Sequence, residues 1–181
     1  KGAFTDALKT KPGLFEVAAK GTIFFDELAE MPMAIQAKLL KVLDTRTFRR
    51  IGGVVDLVST ARFIGATNRK ITELVTKGLF REDLYYRINV LPITLPPLRE
   101  RGGDVILLTE HFIRQLSAEM RKDITTCAAG FMLAIRDYSW PGNVRELENA
   151  MERASALCES TIIRLEDLPP SLLAKAGVSA S

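Results

Sequence analysis

An α/β domain followed by a small helical domain is the fold class this chain predicts, on three observations. Up to Gly102-Gly103, short β-type apolar runs alternate with helical segments, as in a parallel or mostly parallel sheet. From Asp104 onward the pattern is helical, with Pro141-Gly142 as punctuation between the last two helices. Finally, Gly21-Thr-Ile-Phe-Phe-Asp-Glu-Leu-Ala-Glu-Met-Pro32 ends an apolar strand in two adjacent carboxylates. Open α/β sheets bind ligands outside the carboxyl ends of their strands, so that pair stands where chemistry is done.

Residues 22–25 read as a strand buried on both faces, the type found in the middle of a helix-covered parallel sheet. Asp26 and Glu27 fall at its C-terminal end. A helix is expected over 31–44, and Gly52-Gly53 between apolar flanks predicts a hairpin or loop insertion over 48–58. A second strand at 61–66, helices at 71–76 and 79–88 and a strand at 90–95 complete the sheet region, which Pro96-Pro97 closes. Asp104 is a plausible N-cap for a helix over 105–120, and helices over 129–138 and 144–157 follow. The Ala/Ser/Gly-rich end from Ala174 is expected to fray.

The 181 residues suffice for one or two domains with a substantial core, and 47% hydrophobic with 26% charged residues is ordinary globular composition. A net charge of +3 is weak evidence for nucleic acid, because Asp and Glu interrupt every longer basic run. Cys127 and Cys158 lie far apart and outside any CxxC pattern, which argues against both a disulfide framework and a zinc site and points to a reducing cytoplasm. No apolar stretch approaches a membrane span, and no basic-then-apolar leader opens the chain. It begins at Lys1 in mid-pattern and reads as a fragment of something longer.

The carboxylate pair suits a division of labour. Asp26 can hold Mg2+ or its waters, while Glu27, pointing the other way off the strand end, can orient and deprotonate an attacking water. The same two residues also read as an acidic helix N-terminus, which the helix dipole favours.

Several motifs in order then agree with one family: Lys1-Gly-Ala-Phe-Thr-Asp-Ala7, Gly-Thr-Ile-Phe-Phe-Asp26-Glu27, Gly65-Ala-Thr-Asn68-Arg, Phe80-Arg-Glu-Asp-Leu-Tyr-Tyr-Arg87, Leu95-Pro-Pro-Leu-Arg-Glu-Arg101 and Trp140-Pro-Gly-Asn-Val-Arg-Glu-Leu147. Together they resemble the central AAA+ ATPase domain of sigma-54-dependent transcription activators, the bacterial enhancer-binding proteins, over nearly all of residues 1–170. The resemblance implies an AAA+ P-loop NTPase-type three-layer sheet at 1–103 with its N-terminal part missing, a helical lid at 104–170 and a flexible tail at 171–181.

It also implies roles. Asp26 and Glu27 match the Walker B element, with ATP and Mg2+ as cofactors. Asn68 resembles the sensor I position: at the end of a strand next to the first, its amide can reach a γ-phosphate or the attacking water, although Asn also commonly ends a strand into a turn. Arg81 and Arg87 are the arginine-finger candidates. A permanently charged guanidinium can stabilise a transferring phosphoryl group on the neighbouring subunit, and a finger and a site on opposite surfaces imply a ring, a hexamer in this family. The alternative for both is local pairing with Glu82 or Asp83. Arg145 matches the sensor II arginine of the lid, against a salt bridge with Glu148 or Glu152, and Trp140 reads as lid core. Gly2, Ala3, Phe4, Thr5, Asp6 and Ala7 resemble the GAFTGA loop that grips sigma-54, with Asp6 in place of the second glycine. Asp tolerates a left-handed backbone but adds a carboxylate to the contact surface.

No GxxxxGK[ST] phosphate loop occurs in the chain, and in this family it lies upstream. The intact parent is therefore expected to be an ATPase, whereas these residues alone bind ATP poorly. The implied partners are the sigma-54 RNA polymerase holoenzyme, further copies of the chain, and promoter-upstream DNA through a domain outside these residues, in the bacterial cytoplasm. Two rival readings remain: a regulator of the same lineage that binds DNA but has lost sigma-54 coupling, favoured by Asp6, and a non-enzymatic module whose helix near Val144 binds DNA. Against the second, Glu146, Glu148 and Glu152 would face phosphates.

Overall fold

The structure is a computed structural model that describes residues 12–175, so the loop from Gly2 to Ala7 lies outside the described residues. The chain divides into two compact units between Ile93 and Thr94. That is ahead of the position expected from composition, because Leu98, in a 3-10 turn at Leu98–Glu100, is buried in the core of the second unit with Val105 and Leu147.

In the first unit, α1 (Leu14–Ala18) leads to β1 (Thr22–Phe25), then a 3-10 turn at Leu28–Glu30 and α2 (Met33–Thr45). A short antiparallel hairpin follows, β2 (Thr47–Phe48) with β3 (Leu57–Val58), and the chain returns as β4 (Arg62–Gly65) before α3 (Ile71–Thr76) and α4 (Glu82–Ile88). β1 and β4 pair in parallel, with Phe25 opposite Gly65. Parallel pairing requires a crossover of a dozen or more residues, which α2 and the hairpin supply. On α2, Gln36, Leu39 and Leu43 recur at helical spacing and are buried with Val42, and Leu39 and Leu43 join a core with Leu28, Leu74, Phe80 and Leu84.

Two expectations fail here. β1 is not buried on both faces: Phe25 stacks on Phe63, but Phe24 is 59% exposed, as its partner Ile64 is at 40%. Successive strand residues face opposite ways, and among the described residues nothing covers the Phe24 and Ile64 face. Nor does a strand form over 90–95. Val90, Leu91, Ile93 and Leu95 are exposed, no strand lies beside them among the described residues, and Pro92 and Pro96 lack N–H groups to donate to a ladder.

The second unit is helical, with α5 (Asp104–Met120), α6 (Ala129–Asp137) and α7 (Asn143–Leu157). A short parallel pair, β5 (Thr126–Cys127) with β6 (Ile162–Ile163), and α8 (Pro170–Lys175) complete it. Its core gathers Ile113, Phe131, Ile135, Trp140, Leu147 and Met151. Asp104 is the first residue of α5, with Gly103 at the cap position, so it offers a first-turn carboxylate rather than the expected side-chain cap. α8 takes in part of the expected tail because Leu172 is buried against the same core. No helix among the described residues is long and apolar enough to cross a membrane.

Candidate functional site at the carboxyl ends of β1 and β4

Backbone hydrogen bonds run past the end of the β1–β4 ladder. The Ala66 N–H donates to the Phe25 carbonyl at 2.8 Å, and the Leu28 N–H donates to the Ala66 carbonyl at 2.9 Å. Asp26 and Glu27 therefore form a turn whose two flanks are pinned to the end of β4, and Asn68 follows Ala66 on the same sheet edge. Glu27 sits in the left-handed region at φ 50°, an uncommon conformation for a residue with a side chain. Its N–H donates to Asp26 Oδ1 at 2.9 Å, and its carbonyl accepts the Glu30 N–H at 2.8 Å. Gly65 allows the turn to close, since a Cβ there would meet Leu28 Cδ2 at 2.9 Å.

Asp26, Glu27 and Asn68 are all exposed, and among the described residues no ion pair engages either carboxylate. Arg69 instead pairs with Glu30 at 2.8 Å, tying the loop after β4 to the turn after β1. Among the described residues no cluster of three or more metal-ligating side chains exists. Asp26 is an exposed carboxylate that could serve a magnesium ion, a cation that takes few protein ligands beside phosphate oxygens and water.

The two arginines lie at opposite ends of α4 and make different contacts. Arg81, at the N-cap position, forms a two-point ion pair with Asp83, with Nη2 to Oδ2 at 2.6 Å, which lowers the Asp83 carboxyl below its ordinary pKa. Arg87 reaches across to α2, bonding Asp44 Oδ1 at 3.0 Å and the Leu43 carbonyl at 3.1 Å. Local pairing is thus realised for Arg81 but not for Arg87.

The hairpin is tied to α1. Arg50 grips Glu16 with Nε at 2.9 Å and Nη2 at 2.5 Å. That hydrogen bonding, with the Gly13 N–H, draws the Glu16 carboxyl down to about 2. Arg49 and Asp56 brace the hairpin internally, leaving Ile51, Val54 and Val55 exposed around its tip.

In the second unit, Trp140 is 1% exposed and donates its indole N–H to the Ile135 carbonyl at 2.9 Å. The turn that follows is held from three sides. Glu146 Oε2 accepts the Gly142 N–H at 2.7 Å, Glu146 Oε1 accepts the Tyr138 hydroxyl at 3.0 Å, and Asn143 Oδ1 accepts the Leu98 N–H at 2.8 Å. Arg145, in the first turn of α7, is exposed and pairs with neither Glu148 nor Glu152.

Residues 1–94 match the family described as Sigma-54 interaction domain, and residues 99–181 match the AAA+ ATPase lid domain. The chain belongs to the sigma-54 interaction domain family. It is 52% identical over 172 residues to the nitrogen fixation protein AnfA of Azotobacter vinelandii, covering 95% of this chain and 32% of that protein. It is 48% identical over 172 residues to the regulatory protein AtoC of Escherichia coli K12, covering 95% of this chain and 37% of that protein. The chain thus spans about a third of the length of these curated relatives. Among solved structures, NtrX from Brucella abortus in complex with ATP superposes with a TM-score of 0.83 at 32% identity, over 91% of this chain and 39% of that one.

The sigma-54 interaction domain thus brings Asp26, Glu27 and Asn68 to one sheet edge, with the Arg87 side chain anchored to α2 and that of Arg81 paired at the start of α4. The lid carries Arg145. Sequence reasoning missed the residues that position these groups. Gln36 breaks the apolar stripe of α2 at an inward position, which is a legible signal. The Glu16–Arg50 and Glu30–Arg69 pairs are separated by 34 and 39 residues and leave no local trace.

Proposed function

We propose that the chain is the ATP-hydrolysing, sigma-54-engaging part of a bacterial transcription activator that remodels the closed complex of sigma-54 RNA polymerase to permit opening of the promoter. The observation that carries this reading is the strained turn at Glu27, pinned to the end of β4 beside Asn68. A residue whose backbone is held in an unfavourable conformation by hydrogen bonds on both flanks is built for position rather than for stability.

In this reading Glu27 accepts the proton of the attacking water and Asn68 orients that water. Bound magnesium would neutralise phosphate charge, and Asp26 is the residue that would hold it. Arg81 and Arg87 serve the site of the next subunit, and Arg145 lends a cation from the lid. The loop from Gly2 to Ala7 would meet sigma-54, with Phe4 and Thr5 as the contacts. The Glu16–Arg50 pair gives the hairpin after α2 a grip on the helix that follows this loop, so a shift of α2 on hydrolysis has a path to the loop.

The test is ATPase rate against concentration in the full-length protein, with and without Glu27→Ala. A rate per subunit that climbs with concentration and falls at least ~100-fold in the variant is expected. A concentration-independent rate, or one indifferent to Glu27, would refute the ring mechanism. Asp6 favours one second reading, a related DNA-binding regulator uncoupled from sigma-54. ATPase activity without any binding to sigma-54 would establish that reading instead.

A further inference from the structure

We infer that Gln36 is a positioning residue, which sets the place of Arg81 relative to the Asp26-Glu27 turn through a single buried amide. This rests on the proposed trans role of Arg81. The Gln36 side chain is fully buried at 0% exposure. Its Nε2 donates to the Met31 carbonyl at 2.7 Å and to the Leu79 carbonyl at 3.2 Å, while its Oε1 accepts the Arg81 backbone N–H at 2.8 Å. Both amide hydrogens and the oxygen are used. The opposite orientation would aim oxygen at two carbonyls and hydrogens at an N–H, so the partners fix the amide plane.

The three partners belong to different segments. Met31 closes the 3-10 turn that leaves Glu27, Leu79 lies in the turn after α3, and Arg81 is the N-cap of α4. Leu or Met would fill the same space on the helix face beside Leu39 and Leu43 but would leave the Arg81 N–H and the Met31 and Leu79 carbonyls without the amide, so the residue is kept for its bonds and not for its volume. What the amide adds is registry between the turn that carries the water-activating carboxylate and the Cα from which the Arg81 guanidinium projects. Apart from this clamp, the bonds of Arg81 to residues outside α4 and its first turn are none among the described residues, because its side chain pairs only with Asp83. Arg87 has its own anchor at Asp44 near the far end of α2, about 12 Å along the helix from Gln36.

A residue that acts through Arg81 must fail in trans, and subunit mixing reads this out. In the full-length protein, Gln36→Met keeps the volume and removes the three bonds. Rings of this variant alone should lose at least tenfold in kcat with ATP affinity within about threefold of wild type. Rings of Glu27→Ala alone are inactive but still donate an intact Arg81. Mixed one to one, the two should recover about a quarter of the wild-type rate, because one interface in four then pairs an intact carboxylate site with a well-placed arginine. The control mixture of Arg81→Ala with Glu27→Ala should recover to the same extent.

Recovery in both mixtures supports the inference. Recovery with Arg81→Ala but not with Gln36→Met overturns it, because Gln36 then serves its own subunit. Absence of recovery in the control overturns the trans reading itself, and the inference with it. Gln36→Asn, whose shorter amide cannot span all three partners, is scored the same way if Gln36→Met does not melt cooperatively. Amide exchange at Arg81 in the wild-type protein is a second readout: strong protection is expected, and exchange at a solvent-exposed rate would overturn the clamp.

Discussion

Glu27 bears the clearest local conflict in the chain, a side chain in the left-handed region at φ 50° where glycine would be at ease. Substituting glycine removes that strain and the carboxylate together. Glu27→Gly is therefore expected to be at least as stable as wild type by thermal melting, while turnover falls at least ~100-fold. A variant that melted well below wild type would show that the turn depends on the carboxylate for stability. The two arginines should separate in the same kind of experiment. Arg81→Ala removes a surface ion pair worth little to stability, so its effect should be confined to rate, about three to five orders of magnitude if it is the trans arginine. Arg87→Ala also uncouples α4 from Asp44 and the Leu43 carbonyl, so it should lower the melting temperature as well as the rate. Equal melting of the two variants would contradict this division.

Among the elements, the hairpin and α1 are joined by the Glu16–Arg50 pair, whose titration can be followed directly. The folded carboxyl lies at about 2, below its ordinary 4.5. A depressed carboxylate pKa means that the link is fully present above the ordinary value and is lost as pH falls through the folded one. In the wild-type protein Glu16 should stay ionised throughout the ordinary carboxylate range, whereas in Arg50→Met its carboxyl NMR titration should return toward 4.5. An unchanged titration in that variant would remove the pair from the pathway between hairpin and loop. In the lid, α7 and the turn before it depend on Trp140, buried at 1% with its N–H satisfied by Ile135. Trp140→Ala should cost about 3–5 kcal/mol in the unfolding free energy of the lid. A loss below about 1 kcal/mol would mean that the turn presenting Arg145 is held by Glu146 and Asn143 without it.

On the scale of the whole molecule, the 181 residues contain a carboxylate pair, an asparagine and arginines but no phosphate loop. The pieces that position water and charge are present without the backbone cradle that holds a triphosphate. Residues 1–181 expressed alone are therefore expected to bind ATP weakly, and tight binding in a thermal-shift titration would show that these groups suffice. The element order and the parallel pairing of β1 with β4 were legible because apolar periodicity and adjacent carboxylates are local signals. The strand expected over 90–95 was not, because Val90 to Leu95 carry β-type residues whose state depends on a neighbouring strand. A strand is a property of a pair, and no sequence window contains its partner.

Sequence by itself determined the carboxylate pair at a strand end, the asparagine at the next, the two arginines six residues apart on one helical segment and the family to which the chain belongs. Each rests on residue identity and near-neighbour spacing, which the chain carries on its face. Only the tertiary structure decided that Glu27 is strained, that Arg81 pairs within its own helix start while Arg87 anchors to α2, and that Gln36 binds three segments through one amide. Those facts arise from contacts between residues up to 45 positions apart. Hydrogen bonds of that range are fixed by how the elements pack, and no local pattern encodes them.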